Sequence, residues 1–102
     1  MINVIFPIDP STEFLYNIIN NLRMNGVECN VIEIHPNDDS YSNSKILVEN
    51  LQNKWDVIFL GHGKSNQLYG GESEDYEKKV FINNKEMSIF SGRNLFALAC
   101  DS

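Results

Sequence analysis

A chain of 102 residues is long enough for one small domain with a modest core. Its 14 acidic and 8 basic residues leave a net charge of −6, which repels phosphate backbones and reads against nucleic-acid binding. No apolar run approaches the ~20 residues that span a bilayer; with two cysteines and no export signal in Met1-Ile2-Asn3-Val4, the expectation is a cytoplasmic protein with free thiols and no membrane partner.

In chain order, Ile2, Val4, Ile5, Phe6 and Ile8 predict a first strand, closed by Pro7 to Pro10. Asp9 is placed to cap a helix with Pro10 at its first position, where a missing N–H is harmless. Phe14, Leu15, Ile18, Ile19 and Leu22 recur at helical spacing and form one apolar stripe, and Asn25-Gly26 ends it. Residues 27–34 read as a second strand with Cys29 inside it, followed by a loop that holds His35. Ser42 or Ser44 is placed to cap a second helix in which Leu47, Leu51 and Trp55 are spaced four apart.

The next stretch is Asp56-Val57-Ile58-Phe59-Leu60-Gly61-His62-Gly63. Four consecutive apolar residues predict a strand buried on both faces, stopping at a histidine between two glycines. Residues 64–79 carry Gly70-Gly71 and four acids (Glu72, Glu74, Asp75, Glu77), and read as a mobile polar loop with room for a hairpin that includes Val80-Phe81-Ile82. Asn84 is placed to cap a short helix through Met87, Ile89 and Phe90, turned by Ser91-Gly92 into a last strand, Leu95 to Ala99, that ends on Cys100. Strand–helix alternation predicts an α/β three-layer sandwich with a mostly parallel sheet in the order 2-1-3-4, the Leu95–Ala99 strand being fourth. His62 and Cys100 then stand at the same carboxyl edge of neighbouring strands, where α/β sheets build their sites. A general base would lie beside a thiol.

The apolar strand ending in Gly61-His62-Gly63, the later one ending in Ala99-Cys100-Asp101-Ser102, and the alternation before them resemble the caspase-like cysteine peptidases, especially the bacterial CHAT-type branch. The likeness covers residues 1–102 as the N-terminal portion of such a domain. Leu98 and Ser102 stand where the caspase signature has Gln and Gly, and the His-to-Cys separation, 100 − 62 = 38, is shorter than the ~50 of caspases; both departures suit the CHAT branch. The resemblance implies a thiol endopeptidase with a Cys–His dyad, His62 as base and acid and Cys100 as nucleophile. It further implies an oxyanion hole from the N–H groups of Gly63 and Cys100, a protein or peptide substrate, and further strands and helices on a second chain or a continuation beyond Ser102. Asp9 and Glu13 are substrate-pocket candidates, and with the acids after His62 they favour a basic side chain before the cut bond.

No cofactor or metal is expected: a zinc site from His35, His62 and Cys100 would want a fourth ligand, and no Cys/His spacing offers one. Cys29 reads as structural and His35 as a surface residue. Two other functions remain open. One is a catalytically silent caspase-like regulatory or interaction module. The other is a receiver or nucleotide-binding domain, against which stand the lack of a glycine-rich loop after the first strand and His62 in place of a phospho-accepting Asp.

Overall fold

A computed structural model describes residues 1–51, 56–64, 67–90 and 95–100, the last two without their side chains. The strands are β1 (Ile2–Pro7), β2 (Cys29–Ile34), β3 (Asp56–Lys64), β4 (Gln67–Tyr69), β5 (Val80–Ile82) and β6 (Leu95–Cys100). Two α-helices, α1 (Tyr16–Met24) and α2 (Asp38–Glu49), and two 3-10 helices, Glu13–Leu15 and Glu86–Phe90, connect them. β1 pairs in parallel with β2 on one side and β3 on the other, and β3 pairs in parallel with β6. The far end of β3 pairs with β4, and β4 with β5, both antiparallel. The fold is therefore α/β, but its sheet is mixed rather than mostly parallel. The reason is local: β3 outruns its parallel neighbour β1, and its free end is satisfied by a hairpin.

Alternating side chains divide the core between the two faces of the sheet. On one face Leu15 and Ile19, from the 3-10 helix and α1, bury against Val4, Phe6 and Leu60. On the other, Val48 of α2 joins Ile5, Ile32, Ile34, Val57 and Phe59, and the same cluster takes in Leu68, Phe81 and Ile82 of the hairpin with Phe90. The hairpin is thus part of the core. Full burial of each such side chain is worth roughly 1.5–3 kcal/mol.

Helix boundaries follow capping chemistry. α1 ends in a Schellman motif: Val27 N donates to Leu22 O and Gly26 N to Arg23 O, and Gly26 takes a φ of 80°. Leu15 and Ile19 of the predicted stripe point inward, whereas Phe14 is exposed. α2 starts earlier than the sequence predicts. Asn37, not Ser42 or Ser44, is its N-cap, its side chain accepting from Ser40 N at 2.7 Å. The shift rotates the inward face to Tyr41, Ser44, Val48 and Leu51, so Leu47 lies exposed; Ser44 Oγ donates to Glu33 O. Trp55, predicted to close that face, lies outside the described residues, as does the predicted turn at Ser91-Gly92. Before the second 3-10 helix Asn83, rather than Asn84, caps reciprocally: its side chain accepts from Glu86 N while Glu86 Oε1 accepts from Asn83 N.

Candidate active site

β3 does not stop at its histidine but runs through it to Lys64. Its register with β1 ends at Ile5↔Phe59, so His62 projects past the end of β1 and over the turn that follows. Gly61 makes that passage possible. A Cβ there would lie 2.9 Å from Pro7 Cγ and 3.0 Å from Phe59 Cζ, so one of those rings would have to shift.

The turn after β1 is built by Asp9. Its carbonyl accepts from Thr12 N, and its Oδ1 accepts from both Ser11 N at 2.9 Å and Ser11 Oγ at 2.8 Å. Ser11 Oγ also stands 2.7 Å from His62 Nε2, and Asp9 Oδ2 is 3.3 Å from that same nitrogen. Oδ2 makes no hydrogen bond of its own among the described residues. Asp9 and His62 are deeply placed, 2% and 9% exposed, whereas Ser11 is exposed. Burying a carboxylate is costly unless donors face it, and Ser11 N and Ser11 Oγ both donate to Oδ1. The sequence marked Asp9 as a helix cap and pocket residue; its contact with His62 has no signal at 53 residues' separation in the chain (62 − 9 = 53). Ser11 carries no sequence signal of this role.

The parallel register of β3 and β6 sets Cys100 opposite His62, continuing from Val57↔Leu95 through Gly61↔Ala99. The Cys100 side chain lies outside the described residues. Gly63 sits one step on, where β3 exchanges its parallel partner for β4 through the Gly63↔Leu68 pair. Cys29 is at the opposite, amino end of the sheet, paired with Ile2. His35 is exposed, 3.7 Å from Glu33.

Beside Asp9 opens a cavity of about 350 Å³, walled by Phe6, Ile8, Tyr16 and Pro36, with Glu13 and Glu72 at its edge. A second hollow of about 280 Å³ shares Asp9, Pro10, Glu72 and Ser73 with it and continues to Ser11 and Glu74. Glu13 is exposed at this mouth while Asp9 is withdrawn toward His62.

The wall carrying Glu72 belongs to the segment expected to be a mobile loop. It is clasped instead. Glu72 N donates to Ile8 O, Gly70 N to Lys79 O, and Ser73 bridges Tyr76. Tyr41 of α2 donates its hydroxyl to Gly71 O at 2.8 Å and accepts from Lys79 N at 3.0 Å. Burial pushes the Tyr41 hydroxyl up from its ordinary pKa. At the outer end Tyr76 donates to Asp38 at 2.6 Å and Lys79 stands over the Tyr76 ring. The Tyr76 hydrogen bond, with the Lys79 charge behind it, holds Asp38 below the usual carboxylate range.

Compared with known proteins, the chain matches no family model and no curated protein sequence. Among the described residues no group of His, Cys, Asp and Glu is placed to hold a metal ion, and no helix is long and apolar enough to cross a membrane.

Proposed function

We propose that this chain is a caspase-like cysteine endopeptidase domain of the CHAT type, acting through His62 and Cys100. The observation that carries the reading is the strand register that pairs Cys100 with His62 at the carboxyl edge of the sheet. A thiolate at Cys100, formed as His62 takes its proton, attacks the carbonyl carbon of the substrate peptide bond. The N–H groups of Gly63 and Cys100 receive the oxyanion; one such donor is typically worth ~10²–10³ in rate. The imidazolium then protonates the leaving amine, giving an acyl thioester. Water, deprotonated by His62, hydrolyses the thioester and restores the thiol. Such a thiol suits a reducing, cytoplasmic compartment.

The cavity beside Asp9 fits the side chain before the cut bond. Apolar walls from Phe6, Tyr16 and Pro36 suit an aliphatic stem, and Glu13 and Glu72 at the edge favour an ammonium or guanidinium, so cleavage after Lys or Arg is expected. On β6, Phe96 is 63% and Leu98 39% exposed, a face that native proteins cover; further polypeptide, on a continuation or a second chain, is the proposed cover.

The test is labelling by a peptide electrophile directed at thiols, together with turnover of peptides that differ only in the residue before the cut. Cys100→Ala should abolish both, and Cys29→Ala should leave most of each. Turnover by Cys100→Ala would end the reading. Faster cleavage after Asp than after Lys or Arg would overturn the specificity alone.

A further inference from the structure

We propose that Asp9 and Ser11 are a positioning pair that holds the His62 ring with its hydrogen on Nε2, making Nδ1 the atom that exchanges protons with the thiol and the leaving amine. The catalytic purpose of the pair rests on the peptidase reading; the state of the ring does not.

Ser11 Oγ lies between two neighbours, Asp9 Oδ1 at 2.8 Å and His62 Nε2 at 2.7 Å, and its hydroxyl has one proton to give. An ionised carboxylate can only accept, and Oδ1 already draws Ser11 N from the same turn. If the hydroxyl proton went to Nε2, Oγ would present a lone pair to Oδ1. The nitrogen lone pair would also face Oδ2 at 3.3 Å. Both contacts would be repulsive. With the hydroxyl donating to Asp9, Nε2 brings the hydrogen, Ser11 Oγ accepts it, and Oδ2 faces a polarised N–H. These three contacts are then all attractive, and the low exposure of Asp9 strengthens those it makes.

The same geometry excludes a serine triad. In a triad the carboxylate and the hydroxyl engage opposite ring nitrogens, whereas Asp9 and Ser11 meet at one. Ser11 therefore serves the ring rather than attacking substrate. The pair is itself anchored, since Thr12 N donates to Asp9 O and Ile8 N to Ile34 O on either side of it. The turn after β1 thus reaches across to orient a side chain on β3.

The test is nitrogen NMR of imidazole-labelled protein at a pH where His62 is neutral, joined to steady-state kinetics. Wild type should show a protonated Nε2 and an unprotonated Nδ1. Ser11→Ala should give a tautomer mixture. Asp9→Asn should favour the opposite tautomer, because an amide N–H would then be able to face Nε2. Both variants should lose kcat on the order of 10–100-fold with KM little changed, the cost of a misdirected ring, while Ser11→Thr, which keeps a hydroxyl, should restore both signatures. A wild-type ring protonated on Nδ1, or a tautomer unmoved in both variants, would overturn the proposal. If wild type shows the expected tautomer but no turnover, the peptidase reading fails and takes the catalytic purpose with it, while the ring assignment stands.

Discussion

The parallel strands and the hairpin that continues them are held by different means. At the centre of the parallel part, Val4, Ile5, Val57 and Phe59 are fully buried, and any one of them loses contacts on several sides if truncated. The hairpin contributes Leu68, Phe81 and Ile82 to the same core, but residues 70–79 between its strands are tied by a few polar contacts to Tyr41, Asp38 and Ile8. The difference separates two tasks. Apolar burial decides whether the domain folds, whereas the clasp decides where Glu72 and the cavity wall stand relative to Asp9. A change in the first should be read as lost stability, and one in the second mainly as an altered site.

The largest effect that would sharpen this contrast is Phe59→Ala, expected to cost about 3–5 kcal/mol in denaturant unfolding through lost burial and the cavity left behind. A cost under ~1 kcal/mol would mean that the parallel core is not the stability centre. Next is Gly71→Ala. A Cβ there would sit 2.4 Å from Ile34 O and 2.9 Å from Ile8 O, both backbone atoms, so the segment must move. Roughly 1–3 kcal/mol is expected, with the Glu72 amide losing protection from hydrogen exchange before the strands do. Simultaneous loss across β1 and β3 would break the division.

Tyr41→Phe is smaller, about 1 kcal/mol, since it removes one hydroxyl that serves Gly71 O and Lys79 N in a half-buried position. Its mark should be a loosened 70–79 segment by limited proteolysis, with the global unfolding midpoint shifted far less than by Phe59→Ala. A midpoint shift as large as that of Phe59→Ala would show that the clasp is core after all.

The smallest expected effect is a pH dependence of the outer clasp. The Tyr76 hydrogen bond lowers the Asp38 carboxyl, so its contribution is complete above the ordinary carboxylate pKa and fades as pH falls through the lowered value. Tyr76 is raised by Asp38, and Lys79 is raised first by Tyr76 and then by Asp38. Their contribution is complete below their ordinary values and fades as pH rises through the raised ones. Amide shifts of Gly70 and Glu72 should therefore stay flat across neutral pH and move only at the acid and alkaline extremes. A transition near neutrality would assign the clasp to another group.

Period and composition made the framework legible. The run Val57 to Leu60 predicted a strand buried on both faces, and Gly26 predicted the end of α1. Less legible was the start of α2, because Asn37, Ser42 and Ser44 all offer cap chemistry and only packing against Glu33 O and Val48 chooses among them. The polar residues 70–79 read as a loop because contacts such as that of Tyr41 with Gly71 leave no periodic trace.

By itself the sequence determined the alternation of strands and helices, the apolar strand leading to His62, and the second apolar strand leading to Cys100. These are local properties, written in side-chain period and turn chemistry. Only the tertiary structure decided that β3 runs on through His62 into an antiparallel hairpin, that Cys100 falls in register with His62, and that Asp9 and Ser11 meet the ring at Nε2. The first two depend on strand register; the third depends on side chains 51 or more residues apart in sequence (62 − 11 = 51), which meet only once the sheet has brought the turn after β1 beside the end of β3.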